Sequence, residues 1–293
     1  MSHLRGASAA RSIRCVPSRR PCLAARRLAL PALIAATLAA PATAAAAPGD
    51  VDPSFGDDGV TLVDRPATSE AAPVALFPRA NGTSTLVTRF ATTAGFRVSV
   101  SGLAANGSGD QSFGSVELDG APVVHAATGP SGAVVVAHGG STARGGGGPA
   151  ALLRVTARAQ ADTAFGTAGR VNLPAGDRLL AVAVDASERP LVVRASGDDS
   201  VAVVRYEADG DVDPTFGAAG ARVLPGVAPE TLRTAGHAAL AVAADGTIAA
   251  ALAPDGDRGI VVAKLTADGA LDDGFGTGGV ATLTRPARRS AAS

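Results

Sequence analysis

Three alternate carboxylates, Asp209, Asp211 and Asp213, flank Gly210 in the one stretch whose spacing suits a metal, because oxygen-rich calcium loops draw ligands from alternate positions around a glycine turn. Asp50 and Asp52 form a weaker echo, and no distal Glu completes an EF-hand-like ligand set. A solvated turn therefore competes with the calcium reading. Three histidines follow the leader, His125, His138 and His237, with no His-x-x-x-His pair, so each reads as a structural or exposed residue. The paired acids Asp57/Asp58 and Asp198/Asp199 are adjacent in sequence within turns, where neighbouring side chains diverge and do not face each other as an acid and base. The run at 145–148 is four glycines without the Lys-Ser/Thr of a phosphate loop, and no Gly-x-Ser-x-Gly elbow is present. These residues imply no catalytic group and no cofactor.

Composition narrows the classes further. Seven of the 26 basic residues and none of the 26 acidic ones fall in residues 1–47, leaving 19 against 26 and a formal net charge of −7 after residue 47. Lys264 is the single lysine, and no basic cluster precedes the tail, so a nucleic-acid footprint is absent. Both cysteines, Cys15 and Cys22, precede residue 48, which removes disulfide, thiolate-metal and thiol-nucleophile chemistry from the rest. The leader has an Arg-rich start, an apolar stretch at 28–40 and an alanine-rich end at 42–47. That is the layout of an export signal, with cleavage expected near 44–47 and no stable membrane insertion afterwards. Ser18, Arg19, Arg20, Pro21, Cys22 and Leu23 are similar to a twin-arginine motif, so export runs through either that route or the general secretory one.

Positioning elements come from an internal repeat. The pattern Asp-x-x-Phe-Gly occurs five times, as Asp52/Phe55/Gly56, Asp110/Phe113/Gly114, Asp162/Phe165/Gly166, Asp213/Phe216/Gly217 and Asp272/Phe275/Gly276. Five of the eight Phe residues lie in it, in a chain otherwise poor in aromatics, so the pattern anchors a repeating unit. Four copies add a glycine three residues on, at Gly59, Gly169, Gly220 and Gly279; the second copy has Glu117. Asp is expected to accept from backbone N–H groups two or three residues on, and Phe to plug the core, while Gly admits positive φ. Between anchors, runs of Val, Ala, Ile and Leu are broken by Asp-Gly turns, and none after residue 48 keeps a helical period. The fourth unit shows it at 221–224, 239–243, 247–252 and 260–265.

The segment Asp209, Gly210, Asp211, Val212, Asp213, Pro214, Thr215, Phe216, Gly217, Ala218, Ala219, Gly220, preceded by an apolar run at 201–206 and followed by the Asp245–Gly246 turn, resembles the delta-60 repeat family of exported bacterial proteins. The resemblance covers nearly all of 49–283 and implies tandem β units arranged as propeller blades; it implies no established activity and no catalytic residues. The glycines at 145–148 interrupt the pattern in the second unit.

The resulting expectation is an all-β, β-propeller-like tandem repeat of about four four-stranded antiparallel blades plus one closing strand. Residues 1–47 are the signal and 48–283 the repeat domain, in units of about 50–107, 108–159, 160–210 and 211–269 with a closing strand at 270–283. Residues 284–293 form a disordered tail. The strand after the fifth anchor is expected to pair with the first unit and close the ring, although an open fan stays as an alternative. In function, the repeat predicts an exported non-enzymatic binding or scaffolding module whose partner is an extracellular or envelope protein or a glycan. A small secreted polysaccharide hydrolase or lyase and a calcium-stabilised adhesin are the alternatives.

Overall fold

The computed structural model describes residues 50–63, 71–121, 124–139, 149–196, 200–227, 238–253 and 259–284. The chain divides into two units, Met1–Ala47 and Pro48–Ser293, and the described residues all belong to the second. No helix among them is long and apolar enough to cross a membrane.

Short β-branched and alanine runs such as Val-Ala-Val-Val at 201–204 gain little from a helix, since Val loses rotamer freedom there, and they alternate between two buried faces in a sheet. They form four four-stranded antiparallel sheets. Sheet 1 is β1 (Ala71–Pro78), β2 (Ser84–Thr92), β3 (Gly95–Leu103) and β4 (Ser115–Asp119), and sheet 2 is β5 (Val124–Thr128), β6 (Val134–His138), β7 (Ala151–Val155) and β8 (Arg170–Asn172). Sheet 3 is β9 (Arg178–Val184), β10 (Pro190–Ala195), β11 (Val201–Arg205) and β12 (Ala221–Val223), and sheet 4 is β13 (Ala238–Val242), β14 (Ile248–Leu252), β15 (Ile260–Leu265) and β16 (Val280–Leu283). Within each sheet the strands run in sequence order. The first strands neighbour one another from sheet to sheet, β1 beside β5, β5 beside β9 and β9 beside β13. The protein is an all-β, propeller-like tandem repeat of four blades.

The fifth anchor, Asp272, Phe275 and Gly276, corrects the expected register of the units. Its strand, β16, pairs with β15 in the same sheet, with Ile260 opposite Leu283 and Ala263 opposite Val280, and it makes no closure with the first unit. Every anchor from the second onward lies between the third and fourth strands of one sheet, so a blade begins after an anchor's strand and ends with the next. Among the described residues the first anchor is consequently the one without a sheet of its own, closed locally by an Asp57–Val60 bridge.

Three apolar cores join four sheets. One lies between sheets 1 and 2 around Val87, Val100, Phe113 and Val136; a second lies between sheets 2 and 3 around Leu152, Phe165 and Val192. The third, between sheets 3 and 4, holds Val203, Phe216, Ala250 and Leu265. No fourth cluster joins sheet 4 to sheet 1 among the described residues. The faces turned away from the cores differ: sheet 1 carries the Arg97–Asp119 ion pair together with Phe90 and Ser99, both buried, whereas sheet 4 exposes Ala239, Ala249, Ile260 and Leu283.

Candidate functional site

The anchor begins with its aspartate. Asp Oδ1 accepts the amide two residues on, from Ser54 at 2.9 Å, Ser112 at 2.9 Å, Ala164 at 3.2 Å, Thr215 at 2.9 Å and Gly274 at 3.0 Å. This is the turn the residue types imply. The Asp backbone amide then donates to a residue eight positions earlier, Gly102, Arg154, Arg205 or Lys264 in the last four anchors. That contact sets a cation beside the carboxylate wherever the earlier residue has one: Arg154 Nε to Asp162 at 2.7 Å, Arg205 Nε to Asp213 at 2.6 Å and Lys264 Nζ to Asp272 at 2.8 Å. Arg154 and Arg205 also stack on Phe165 and Phe216, at 4.8 and 4.6 Å from the ring centroids, and donate to the carbonyls of Ala208 and Ala267 in the next turn. Reading the sequence for turns alone missed this pairing. The spacing of eight between cation and Asp was its signal.

Asp213 is fully buried beside Arg205, with Arg189 3.4 Å away. Burial works to raise its pKa, but the Thr215 hydrogen bonds and the Arg205 contact outweigh it and hold the carboxyl at about 2. Asp272 is lowered by Lys264, whose own pKa is raised in return. Asp52 and Asp110 are lowered by the hydroxyls of Ser54 and Ser112.

Successive anchors are fastened together. Gly56 N donates to Asn106 O at 2.8 Å, Gly166 N to Asp209 O at 2.6 Å and Gly217 N to Asp268 O at 2.8 Å, each acceptor lying four residues before the following anchor's Asp. The next residue along is Gly107, Gly210 or Gly269, at φ of 81°, 96° and 84°. A Cβ there would stand 2.9 Å from the donor nitrogen, so the bond requires glycine. Gly276 departs from these counterparts. It keeps the anchor's backbone, with φ of 59° and Val280 O only 2.2 Å from where a Cβ would stand, and no inter-repeat bond from its N–H occurs among the described residues. Between the second and third anchors the position matching Gly107 is Ala159, and Gly114 N turns back to Asp110 O, with open space around its own Cα. This junction, between sheets 1 and 2, holds a cleft of about 430 Å³ lined by the β1–β2 turn, the β5–β6 turn and Ala157.

The other residues singled out by sequence scatter. Asp209 and Asp211 are exposed, Asp209 accepting the Asp211 amide, while Asp213 faces inward to its arginines. The three carboxylates therefore do not converge, and no group of three or more metal-ligating side chains occurs among the described residues. His138 is buried with its pKa lowered to about 4 by desolvation and by Arg170; its Nδ1 has no hydrogen-bond partner. His125 is lowered by desolvation as well. Asp57 and Asp58 are exposed in the first anchor turn. His237, Asp198, Asp199, the glycines at 145–148, the cysteines, the leader and the tail at 285–293 lie outside the described residues.

No family model matches the chain, and no curated protein does. Among solved structures it is similar to a protein of unknown function from Bacteroides caccae, at 11% identity and a TM-score of 0.40, covering 69% of this chain and 59% of that one. It is also similar to the β-propeller domain of the Trilobed protease from Pyrococcus furiosus, at 7% identity and a TM-score of 0.41 over 75% of this chain and 59% of that one. A puromycin hydrolase matches at 15% identity and a TM-score of 0.42, over 69% of this chain and 30% of the other. The chain thus spans at most about three fifths of the length of these structures.

Proposed function

We propose that the chain is an exported, non-enzymatic binding or scaffolding module of the delta-60 repeat type, working outside the cell or at its envelope on a protein or glycan partner. The observation that supports this reading is the commitment of the anchor carboxylates. Asp162, Asp213 and Asp272 repeat one arrangement, each capping its own turn and holding a strand cation, which leaves their charge engaged in the fold. An acid/base pair needs two groups with divergent roles converging on one substrate atom. The Arg-rich leader, with its apolar centre and alanine-rich end, supports export.

The test is a glycan-array and envelope-protein binding screen on the purified full chain, run beside a panel of polysaccharide hydrolase and lyase substrates. The expected outcome is saturable binding without turnover. Turnover abolished by a single Asp→Asn change would overturn the reading in favour of an enzyme.

A further inference from the structure

Hairpin turns at the anchor end share one geometry in all four sheets; in sheet 4 Gly246 N donates to Ala243 O with φ of 84°, and the other three match it. Gly82 N donates to Arg79 O, Gly132 N to Gly129 O and Glu188 N to Asp185 O, and the three donors have φ of 80°, 80° and 63°. Position for position, Asn81 in sheet 1 therefore matches Ser131 in sheet 2, and Gly132 in sheet 2 matches Glu188 in sheet 3. Between sheets 2 and 3 the Glu188 carboxylate reaches across and accepts the Ser131 amide, lying so close to Gly129 that a Cβ there would meet it at 2.2 Å. Between sheets 1 and 2 the corresponding donor is the Asn81 amide and the matching residue is Gly132, which like Gly82 and Gly246 has no side chain, so among the described residues Glu188 is the one turn residue that reaches across a junction and no side chain takes its place here. The cleft of about 430 Å³ lies at this place, with Asn81 and Gly132 on its walls.

Arg79, which stands where sheet 2 has Gly129, supplies the charge. Its guanidinium stacks on Phe113 at 4.4 Å, as Arg154 and Arg205 stack on their own anchor rings. Those two each hold an Asp and a carbonyl of the next turn. Arg79 makes neither bond. Its charge helps to lower the Asp110 pKa, yet its Nη2 is buried without a hydrogen-bond partner, and no acidic side chain among the described residues lines the cleft. A buried donor of a charged group left unpaired carries a desolvation cost that an incoming anion removes.

We propose that this cleft binds a sugar bearing a carboxylate. The carboxylate takes the position that Glu188 holds one junction along, accepting from the Asn81 amide and paired with the Arg79 guanidinium on the cleft wall. Thr128, Ser131 and the Asn81 side chain then offer hydroxyl and amide partners to the ring hydroxyls, against Phe77, Pro78 and Pro130. The walls are chiefly the two turns, with Phe77, Pro78 and Thr128 contributed by the last residues of β1 and β5. The cleft volume falls in the range of small-ligand sites. The inference rests on the reading of the chain as a binding module and names its ligand class.

The experiment is a calorimetric titration of the purified full chain with galacturonate, beside galactose, acetate and triglutamate. Galacturonate should bind saturably, more weakly as salt rises, and at least about tenfold tighter than galactose or acetate, as loss of a charged hydrogen-bond partner implies. Arg79→Gln should weaken it by about ten- to a hundredfold. Ala157→Leu, which narrows the cleft without touching Arg79, should weaken it too, whereas Arg97→Gln at the exposed sheet 1 ion pair should leave it unchanged; melting midpoints verify that each variant folds. The proposal is overturned by absence of saturation with galacturonate, by equal affinity of Arg79→Gln or Ala157→Leu, or by preference for triglutamate. A glycan or envelope protein that binds wild type and Arg79→Gln alike would remove the cleft assignment while leaving the binding-module reading intact, and turnover would remove that reading itself.

Discussion

Asp213 and Asp272 occupy the same place in their repeats, yet burial gives them unequal weight. Arg205 has 6% of its side chain exposed and its carboxylate partner none, whereas Lys264 is 40% exposed and Asp272 30%. Asp213→Asn keeps the oxygen that caps the turn and removes only the charge, leaving a buried guanidinium uncompensated; it should cost about 3 to 5 kcal/mol, against a much smaller loss for Asp272→Asn in its solvent-screened pair. Denaturant midpoints of the two variants check this, and equal losses would contradict it. His138 acts through its neutral form. Its folded pKa of about 4 lies below the ordinary 6.5, so the unfolded chain binds more protons between those values and stability falls as pH falls through that window. The full loss, reached near pH 4, is roughly 3 kcal/mol. His138→Phe should flatten the stability profile between pH 6.5 and 4; an unchanged slope would assign the effect to other groups.

At the scale of the element, each anchor is completed by the turn that precedes the next one. Gly269 packs so closely over Phe216 that an added Cβ would meet the ring at 2.8 Å, and Gly210 lies over Phe165 in the same way. Phe165 and Phe216 are accordingly fully buried, while Phe275, over which no such glycine turn lies among the described residues, is half-buried. The expectation that all five rings serve as core therefore holds in full for the middle anchors and in part for the terminal ones, Phe55 being half-buried as well. Phe216→Ala should cost about 3 to 5 kcal/mol and Phe275→Ala about 1 to 2 kcal/mol. Chemical denaturation of both variants measures the difference, and matched midpoints would sink the account of the covering turn.

For the whole molecule, the edge and end interactions decide what a truncation does. Deleting 271–293 removes β16 and the fifth anchor, uncovering the N–H and C=O row of β15 and taking Val280 away from the core between sheets 3 and 4. A bare strand edge is a template for pairing with another chain. This deletion should lower the melting midpoint and raise the sedimenting mass, whereas deleting 285–293 alone should do neither. Sedimentation and melting of both truncations, beside the full chain, test the assignment; two truncations indistinguishable from full length would show that β16 contributes nothing to sheet 4.

The sequence alone determined the all-β class, the turns and the repeat, because those follow from local chemistry. An Asp two residues before an amide it caps, a glycine at positive φ and a five-residue Val/Ala run are each legible within a few positions. It did not place the strand after an anchor in the right blade, since 280–283 pairs with 260–263 only through hydrogen bonds across the intervening anchor turn. The three cores, with no fourth among the described residues, were likewise decided by how faces of different sheets meet. Phe113 and Ala159 were visible in the sequence, but the consequence of their setting was not. Only the tertiary structure put Arg79 over the Phe113 ring with its Nη2 unpartnered and set the β1–β2 and β5–β6 turns around one cleft, because both depend on how neighbouring blades meet.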